Sequence, residues 1–591
     1  LHVTLEDGTG FGHLRFFHFS KSQQSGLQPG IYVRAYGEAR FGSQGLEFVH
    51  PEYRTFTELP PDPSPALTPV YPSTKGLSQN RVRGLVSQLL HLPWPENPGV
   101  PYKTLLYLHQ PPPDASTTDI QTAQETVARD ELTAYYLIMK LRQRERATQP
   151  AVPLPRAQQL GRVLLAQLGF KLTGAQRRVL SEVLEDLTRD IPMLRLLQGD
   201  VGSGKTVIAA FAAIRAAEHN RQTALMAPTE ILAEQHYLNF SAWLEPRGIS
   251  VVLITGSQSA RERKLRQQAV ADGSALVAVG THALFQHSVV FKRLSLTIVD
   301  EQHRFGVHQR MALRSKGQVP HQLVMTATPI PRTLTMALYA DMDVSLLDEL
   351  PPGRQPIDTR VLADSRRDDV VDAVAQALAN GDQAYWVCPL IEPSDQLELA
   401  AAEPTATELE ARLRPHTTGL LHGRMKSEDK AKVMAAFKAG ELQLLVATTV
   451  VEVGVDVPNA SLMVIENPER MGLAQLHQLR GRVGRGDKPA RCILLYKSPL
   501  GETARKRLQI MRESVDGFYI AEQDLAIRGP GELLGTRQTG EQQFRVADLA
   551  AHASLIPEVM ARGDELLAKD PTLARTLLHA WAPLESGHIS V

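Results

Sequence analysis

Met193-Leu-Arg-Leu-Leu-Gln-Gly199-Asp-Val-Gly202-Ser203-Gly204-Lys205-Thr206-Val-Ile-Ala209 is the stretch that decides the fold. An apolar run leads into a glycine-rich turn, and the turn leads into the start of a helix. The spacing matches the phosphate-loop template, in the strand-before and helix-after context that the motif requires. Gly199, Gly202 and Gly204 let backbone N–H groups converge on phosphate oxygens, with Ser203 between them. The helix N-terminus adds favourable partial charge. Lys205 is expected to reach the β- and γ-phosphates of a nucleotide, and Thr206 to hold Mg²⁺.

Strand–helix–strand alternation surrounds that turn and predicts a mainly parallel α/β sheet. Strands are expected at Met193–Leu197, Thr223–Ala227, Val251–Ile254, Leu276–Gly280, Leu296–Asp300 and Leu323–Ala327. Several are continuous apolar runs, as suits strands covered on both faces. The pattern restarts after Pro351-Pro352-Gly353, with Ala384–Val387, Gly419–Leu421, Leu444–Thr448, Leu462–Glu466 and Cys492–Tyr496. Two α/β units of similar size imply a cleft between them as the ligand site. Residues 392–407, with two prolines and three consecutive alanines, read as a surface insertion. Beyond about 500 the chain reads as helical with one glycine-rich loop.

The strand Leu296–Val299 runs into Asp300-Glu301-Gln302-His303. Asp300 is positioned to hold Mg²⁺, and Glu301 to orient and deprotonate an attacking water. The second unit supplies Gln475-Leu-His477-Gln478-Leu-Arg480-Gly-Arg482-Val-Gly-Arg485. Its arginines offer planar, bidentate donors to a phosphate.

The 591 residues carry 64 Lys+Arg and 64 Asp+Glu, a net charge of zero, with 43% hydrophobic residues. Such composition excludes a disordered or histone-like chain, so nucleic acid would have to meet local basic patches. No apolar run approaches the ~18 residues of a membrane span. Cys388 and Cys492 stand far apart, which fits a reducing, cytoplasmic compartment and no metal-ligand spacing. The chain opens on Leu1 without Met or a signal-peptide pattern, and its front end is expected to be missing. Residues 1–60 read as short strands, Val3–Glu6, Leu14–Phe19, Ile31–Arg40 and Leu46–His50, and a small barrel is the natural closure. Six prolines between Pro60 and Pro72 then mark a stiff linker. Thr118 to Arg146 reads as one long helix with Leu132, Tyr135, Tyr136, Met139 and Leu141 near one face, most simply a brace.

Taken in order, these motifs resemble superfamily 2 helicases and translocases over roughly residues 165–500. Phe170-Lys-Leu-Thr-Gly-Ala-Gln176 resembles the adenine-reading segment, which implies that Gln176 bonds adenine and Phe170 packs on it. Ala227-Pro-Thr229-Glu230, Gly280-Thr281-His282 and Thr326-Ala-Thr328-Pro329 resemble motifs Ia, Ib and III. Ala447-Thr448-Thr449-Val-Val-Glu452-Val-Gly454-Val-Asp456 resembles motif V, with Asp456 at the nucleotide, and the arginine run resembles motif VI. The resemblance implies two RecA-like domains with ATP between them, Arg482 and Arg485 reaching its γ-phosphate, and Thr229, Thr281, Thr448 and Thr449 on the nucleic-acid backbone. Such contacts carry no sequence code.

The ends narrow the resemblance. Asp524-Leu-Ala-Ile-Arg528-Gly-Pro-Gly-Glu-Leu-Leu-Gly535-Thr-Arg537-Gln538-Thr-Gly540 is similar to the translocation loop shared by the RecG family and transcription–repair coupling factors. It implies DNA contacts from Arg528, Arg537 and Gln538. Residues 470–545 hold 14 Lys+Arg and 8 Asp+Glu, a net +6 suited to duplex DNA. At the front, Phe16-Phe17-His18-Phe19, Tyr36-Gly-Glu-Ala, His50-Pro-Glu-Tyr53-Arg54 and Leu67-Thr-Pro69-Val-Tyr71 resemble the RecG-family wedge. Phe17 is the expected base-stacking side chain, with Phe16 and Phe19 as alternatives.

The expected architecture is α/β multidomain. It comprises an N-terminally incomplete OB-fold wedge (1–60), a linker and helical brace (61–155), two helicase domains (156–350 and 351–500) and a translocation region (501–591). The implied function is an ATP-dependent double-stranded-DNA translocase that reverses stalled forks and branch-migrates Holliday junctions. A transcription-coupled translocase, a DExH RNA helicase and a motor-dead junction binder are the alternatives. The resemblance further implies a monomer in the bacterial cytoplasm at the nucleoid, with single-strand-binding protein as a partner and no membrane.

Overall fold

The structure is a computed structural model, and it describes residues 1–42, 45–60, 67–72, 77–94, 99–157, 159–286, 288–301, 319–327, 341–351, 356–388, 397–448, 457–484, 486, 488–528, 544–549 and 551–581. It separates into two compact units: Leu1–Leu92 with Leu105–Gln121, and Pro93–Thr104 with Thr122–Val591.

The first unit holds six short strands: β1 (His2–Glu6), β2 (Phe11–Arg15), β3 (Tyr32–Tyr36), β4 (Ala39–Gly42), β5 (Gly45–Val49) and β6 (Glu52–Phe56). They form a four-stranded sheet in the order β1-β2-β5-β4 and a separate β3–β6 pair. The expected strand Leu14–Phe19 ends at Arg15, and Ile31–Arg40 breaks in two around Gly37. Alternation across β2 and its exit still sorts the aromatics. Phe16 is 5% exposed, whereas Phe17 is 58% exposed. The Arg15 guanidinium lies 4.9 Å from the Phe17 ring centroid, and the Phe17 N–H donates to His50 Nε2 at 3.1 Å.

The second unit contains both α/β sheets. The first has β7 (Leu194–Gly199), β8 (Gln222–Met226), β9 (Val251–Ile254), β10 (Val277–Gly280), β11 (Leu294–Asp300), β12 (His321–Thr326) and β13 (Asp343–Leu347). Their order is β13-β7-β12-β11-β8-β10-β9, parallel throughout. The second has β14 (Asp358–Ala363), β15 (Gln383–Val387), β16 (Thr418–Leu421), β17 (Leu444–Ala447), β18 (Ala460–Glu466) and β19 (Arg491–Tyr496). Their order is β14-β19-β18-β15-β17-β16, again parallel. Parallel sheets need cover on both faces. The apolar, alanine-rich helix Lys205–Glu218 supplies it by burying Val207, Ile208, Phe211 and Ile214 against β7, β8 and β11.

The segment expected as a surface insertion is different. Leu397–Arg412 is a helix with Pro404 inside it, and Ala402, Ala406, Leu409 and Leu413 are buried in the core of the second sheet. Their helical spacing wins over the proline, because each turn buries another apolar side chain.

The brace helix runs Thr117–Ala147. Within the second unit it packs Leu132, Tyr136, Leu137 and Ile138 against the helices Ile556–Lys569 and Pro571–Trp581. Glu131 accepts the N–H groups of Arg545, Val546 and Ala547 at 2.6, 2.9 and 2.7 Å. Among the described residues, no helix is long and apolar enough to cross a membrane.

Candidate functional site

The phosphate loop sits between the end of β7 and the helix Lys205–Glu218. Gly204 has φ +90°, and a Cβ there would strike Gln176 Nε2. A Cβ on Gly199 would meet Ser203 Oγ at 2.6 Å and Leu347 Cβ at 2.8 Å. Both positions therefore need glycine for different reasons, backbone conformation at one and close packing at the other. Lys205 Nζ donates to the carbonyls of Gly199 (2.7 Å) and Asp200 (3.0 Å). Burial pushes its ammonium pKa down, against the opposing pull of Glu301, Asp300 and Asp200. Ser203 Oγ is buried with no hydrogen-bond partner among the described residues. A cation held only by carbonyls beside an orphaned hydroxyl is a cradle that an anion would complete.

Gln176 is buried on the helix Gly174–Asp186. Its Oε1 accepts the Thr173 N–H at 3.0 Å, and its Nε2 donates to the Ser203 carbonyl at 2.8 Å. The sequence reading gave it to adenine; here its carboxamide ties this helix to the phosphate loop. Phe170 is half exposed nearby in sequence. Gly202 has φ +78°, and Thr206 is half-buried in the first turn of its helix.

Asp300 closes β11. Its Oδ2 lies 2.7 Å from His236 Nε2, and its Oδ1 accepts the Glu301 N–H at 3.1 Å. Burial alone would raise Asp300, but the His236 bond and the Lys205 charge hold it below the ordinary aspartate value. Glu301 goes the other way: burial and the neighbouring Asp300 charge raise its carboxyl. It also takes a left-handed backbone, φ +53°, and its Oε2 accepts the Ala327 N–H at 3.4 Å. Two adjacent carboxylates driven apart in this way suit distinct roles, one a permanent anion and the other a proton acceptor. Nothing in the motif reading singled out His236. Its signal was positional, since it is the polar member of an otherwise apolar buried stripe, Ala233, Phe240 and Leu244.

The second sheet meets this site through the helix Leu473–Arg480. His477 Nε2 lies 2.7 Å from Asp200 Oδ1 of the phosphate loop. A Cβ on Gly481 would come within 3.0 Å of Val201 Cβ. Arg482 follows directly, close enough for its charge to act on both Lys205 and Glu301. Arg480, the arginine of this run that the resemblance leaves off the γ-phosphate, turns elsewhere. It is buried, donates to the carbonyls of Met511 (2.8 Å) and Ser514 (2.7 Å), and lies 3.0 Å from His477 Nδ1. It joins the motif to the C-terminal helices.

The residues expected on nucleic acid are less alike than their motifs. Thr229 caps the helix Glu230–Leu244, its Oγ1 accepting the Leu232 N–H at 3.4 Å. Thr281 and Thr448 are buried. Thr449, Asp456, Arg485, Arg537, Gln538 and the side chain of Arg528 lie outside the described residues.

Three family models match the chain: a DEAD/DEAH box helicase over residues 173–337, the helicase conserved C-terminal domain over 368–487, and the C-terminal part of domain 3 of ATP-dependent DNA helicase RecG over 514–580. The ATP-dependent DNA helicase RecG of Escherichia coli (strain K12) is 52% identical over 601 residues, covering 98% of this chain and 87% of that protein. The protein of the same name from Aquifex aeolicus is 40% identical, covering 97% and 76%. Among solved structures, RecG bound to a three-way DNA junction has a TM-score of 0.64 at 35% identity, covering 95% of this chain and 75% of that one.

Proposed function

Because this chain belongs to the RecG family of ATP-dependent DNA helicases, we propose that its seam between two RecA-like domains drives a motor on branched DNA. It is a superfamily 2 ATP-dependent DNA helicase that acts on branched substrates, and reversal of stalled forks and branch migration of Holliday junctions follow from membership. The observation that carries the reading is the His477–Asp200 contact, which sets an arginine helix of one domain against the phosphate loop of the other.

In the proposed cycle Lys205 leaves its carbonyl partners for the β- and γ-phosphates, and the Ser203 hydroxyl and loop N–H groups take up phosphate oxygens. Asp300, an ionised hard oxygen donor, and the Thr206 hydroxyl fit Mg²⁺, which would neutralise phosphate charge when bound. Glu301 accepts the proton of the attacking water. Arg482, joined by Arg485, offsets the charge on the γ-phosphate from across the seam. Phe170 packs on the base, while Gln176 and Asp456 line the nucleotide pocket. Thr229, Thr281, Thr448 and Thr449 grip the backbone, Arg528, Arg537 and Gln538 engage the duplex, and Phe17 stacks at the branch on an OB-type wedge of residues 1–60. Residues 61–155, 156–350, 351–500 and 501–591 form the brace, the two motor domains and the translocation region. We further propose a monomer in the cytoplasm at the nucleoid, with single-strand-binding protein as a partner.

A four-way-junction unwinding assay with ATP tests the reading, with Lys205→Ala as the inactive control. Failure of the intact protein to unwind would refute it. Greater stimulation of hydrolysis by duplex RNA than by junction DNA would favour an RNA substrate instead.

A further inference from the structure

The helix Glu230–Leu244 begins at the Thr229 cap, directly after β8. β8 and β11 are adjacent parallel strands, with Val299 paired beside Met226. The backbone contact proposed at Thr229 and the carboxylate Asp300 therefore leave the same edge of one sheet on neighbouring strands. Two helical turns, about 10 Å at 1.5 Å per residue, separate Thr229 from His236. At that point the helix turns a ring toward the core, where its other buried residues are Ala233, Phe240 and Leu244. The Phe240 ring meets His236 edge-on, at 6.5 Å between centroids. His236 Nδ1 is buried and has no partner among the described residues. The ring's one polar contact there is Nε2 with Asp300 Oδ2 at 2.7 Å.

A buried imidazole on an apolar stripe is costly unless its bond does something. The contact pairs a ring nitrogen with a carboxylate oxygen at 2.7 Å, and a carboxylate oxygen accepts, so Nε2 is the donor. We propose that His236 is a positioning residue that ties the metal-facing carboxylate to the helix whose N-cap, Thr229, meets the DNA backbone. This rests on the roles given to Thr229 and Asp300 above. A helix moves as a rigid piece, so seating Thr229 on a phosphate shifts His236 with it and re-aims Asp300. The contact lets DNA occupancy reach the hydrolysis site within one domain, separately from closure of the seam.

Two variants of the intact protein test this. His236→Leu keeps the apolar fit of the stripe and removes the donor, whereas His236→Gln returns an N–H near the Nε2 position. The first readout is the Mg²⁺ dependence of binding a fluorescent ADP analogue, without DNA. Loss of an outer-shell partner typically costs 10–100-fold in metal affinity, so the Mg²⁺ needed for half-saturation should rise about tenfold or more in His236→Leu and return most of the way in His236→Gln. The second readout is hydrolysis with four-way-junction DNA. The stimulation factor should shrink in His236→Leu while the junction concentration giving half-stimulation stays at the wild-type value. Wild-type Mg²⁺ dependence in His236→Leu, or equal loss in both variants, would overturn the proposal. A wild-type protein that no junction stimulates would count against the DNA reading instead, and the DNA-free Mg²⁺ measurement separates the two failures.

Discussion

His477→Ala should uncouple the two motor domains without unfolding either. The His477 side chain is almost wholly buried at the seam and that of Asp200 partly so, 2.7 Å apart. Removing the ring deletes that bond and one contact of Arg480, which keeps its bonds to the Met511 and Ser514 carbonyls. Asp200 keeps the Val201 N–H. The loss is thus one hydrogen bond to a charged group across the interface, about 1.5–3 kcal/mol, or roughly 10–150-fold in the closed-seam population. Junction-stimulated ATP turnover should fall by about that factor, with a smaller change in affinity for a fluorescent ADP analogue and little change in thermal midpoint. A double-mutant cycle with Asp200→Ala should return a coupling energy of about the same 1.5–3 kcal/mol. Wild-type turnover in His477→Ala, or losses that simply add in the double variant, would refute the reasoning.

Glu301 is raised by burial and by the charge of Asp300, so its base form appears only above the ordinary glutamate value of 4.5. The rate of hydrolysis should rise with pH along that ionisation, and a pH–rate profile of Glu301→Gln should lose both this limb and about 10²-fold or more of the rate while nucleotide still binds. Phe17→Ala should reduce junction unwinding with ATP turnover intact. Phe16→Ala, its buried neighbour, should cost about 3–5 kcal/mol in stability, read as a lower melting midpoint. Glu131→Ala frees the Arg545, Val546 and Ala547 N–H groups, so hydrogen exchange at 545–547 should accelerate by at least tenfold, from a loss of about 1.5–3 kcal/mol.

The parallel strands were largely legible because a strand covered on both faces must be a continuous apolar run. The two that escaped, β13 (Asp343–Leu347) and β14 (Asp358–Ala363), are edge strands with Asp, Ser, Thr and Arg in their sequences. One side of an edge strand has no neighbour, so its sequence need not be apolar. The helix Leu397–Arg412 escaped because Pro404 and the alanine run looked like a loop, whereas its period-3.6 apolar face decided otherwise. The phosphate loop and the Asp300–Glu301 pair were legible as motifs. The motif resemblance set Arg482 and Arg485 apart from Arg480, but where Arg480 goes was not legible: it is buried under the C-terminal helices, while the charge of Arg482 acts on Lys205 and Glu301.

The sequence alone determined most of the local pieces. A glycine turn between a strand and a helix binds phosphate because of backbone geometry, and backbone geometry is encoded within a few neighbouring residues. Tertiary structure alone decided which distant side chains touch. His236 reaches Asp300 across 64 residues, His477 reaches Asp200 across 277, and Glu131 holds a chain more than 400 residues away. Those contacts depend on sheet order and helix rotation, which only the packing of the whole core fixes.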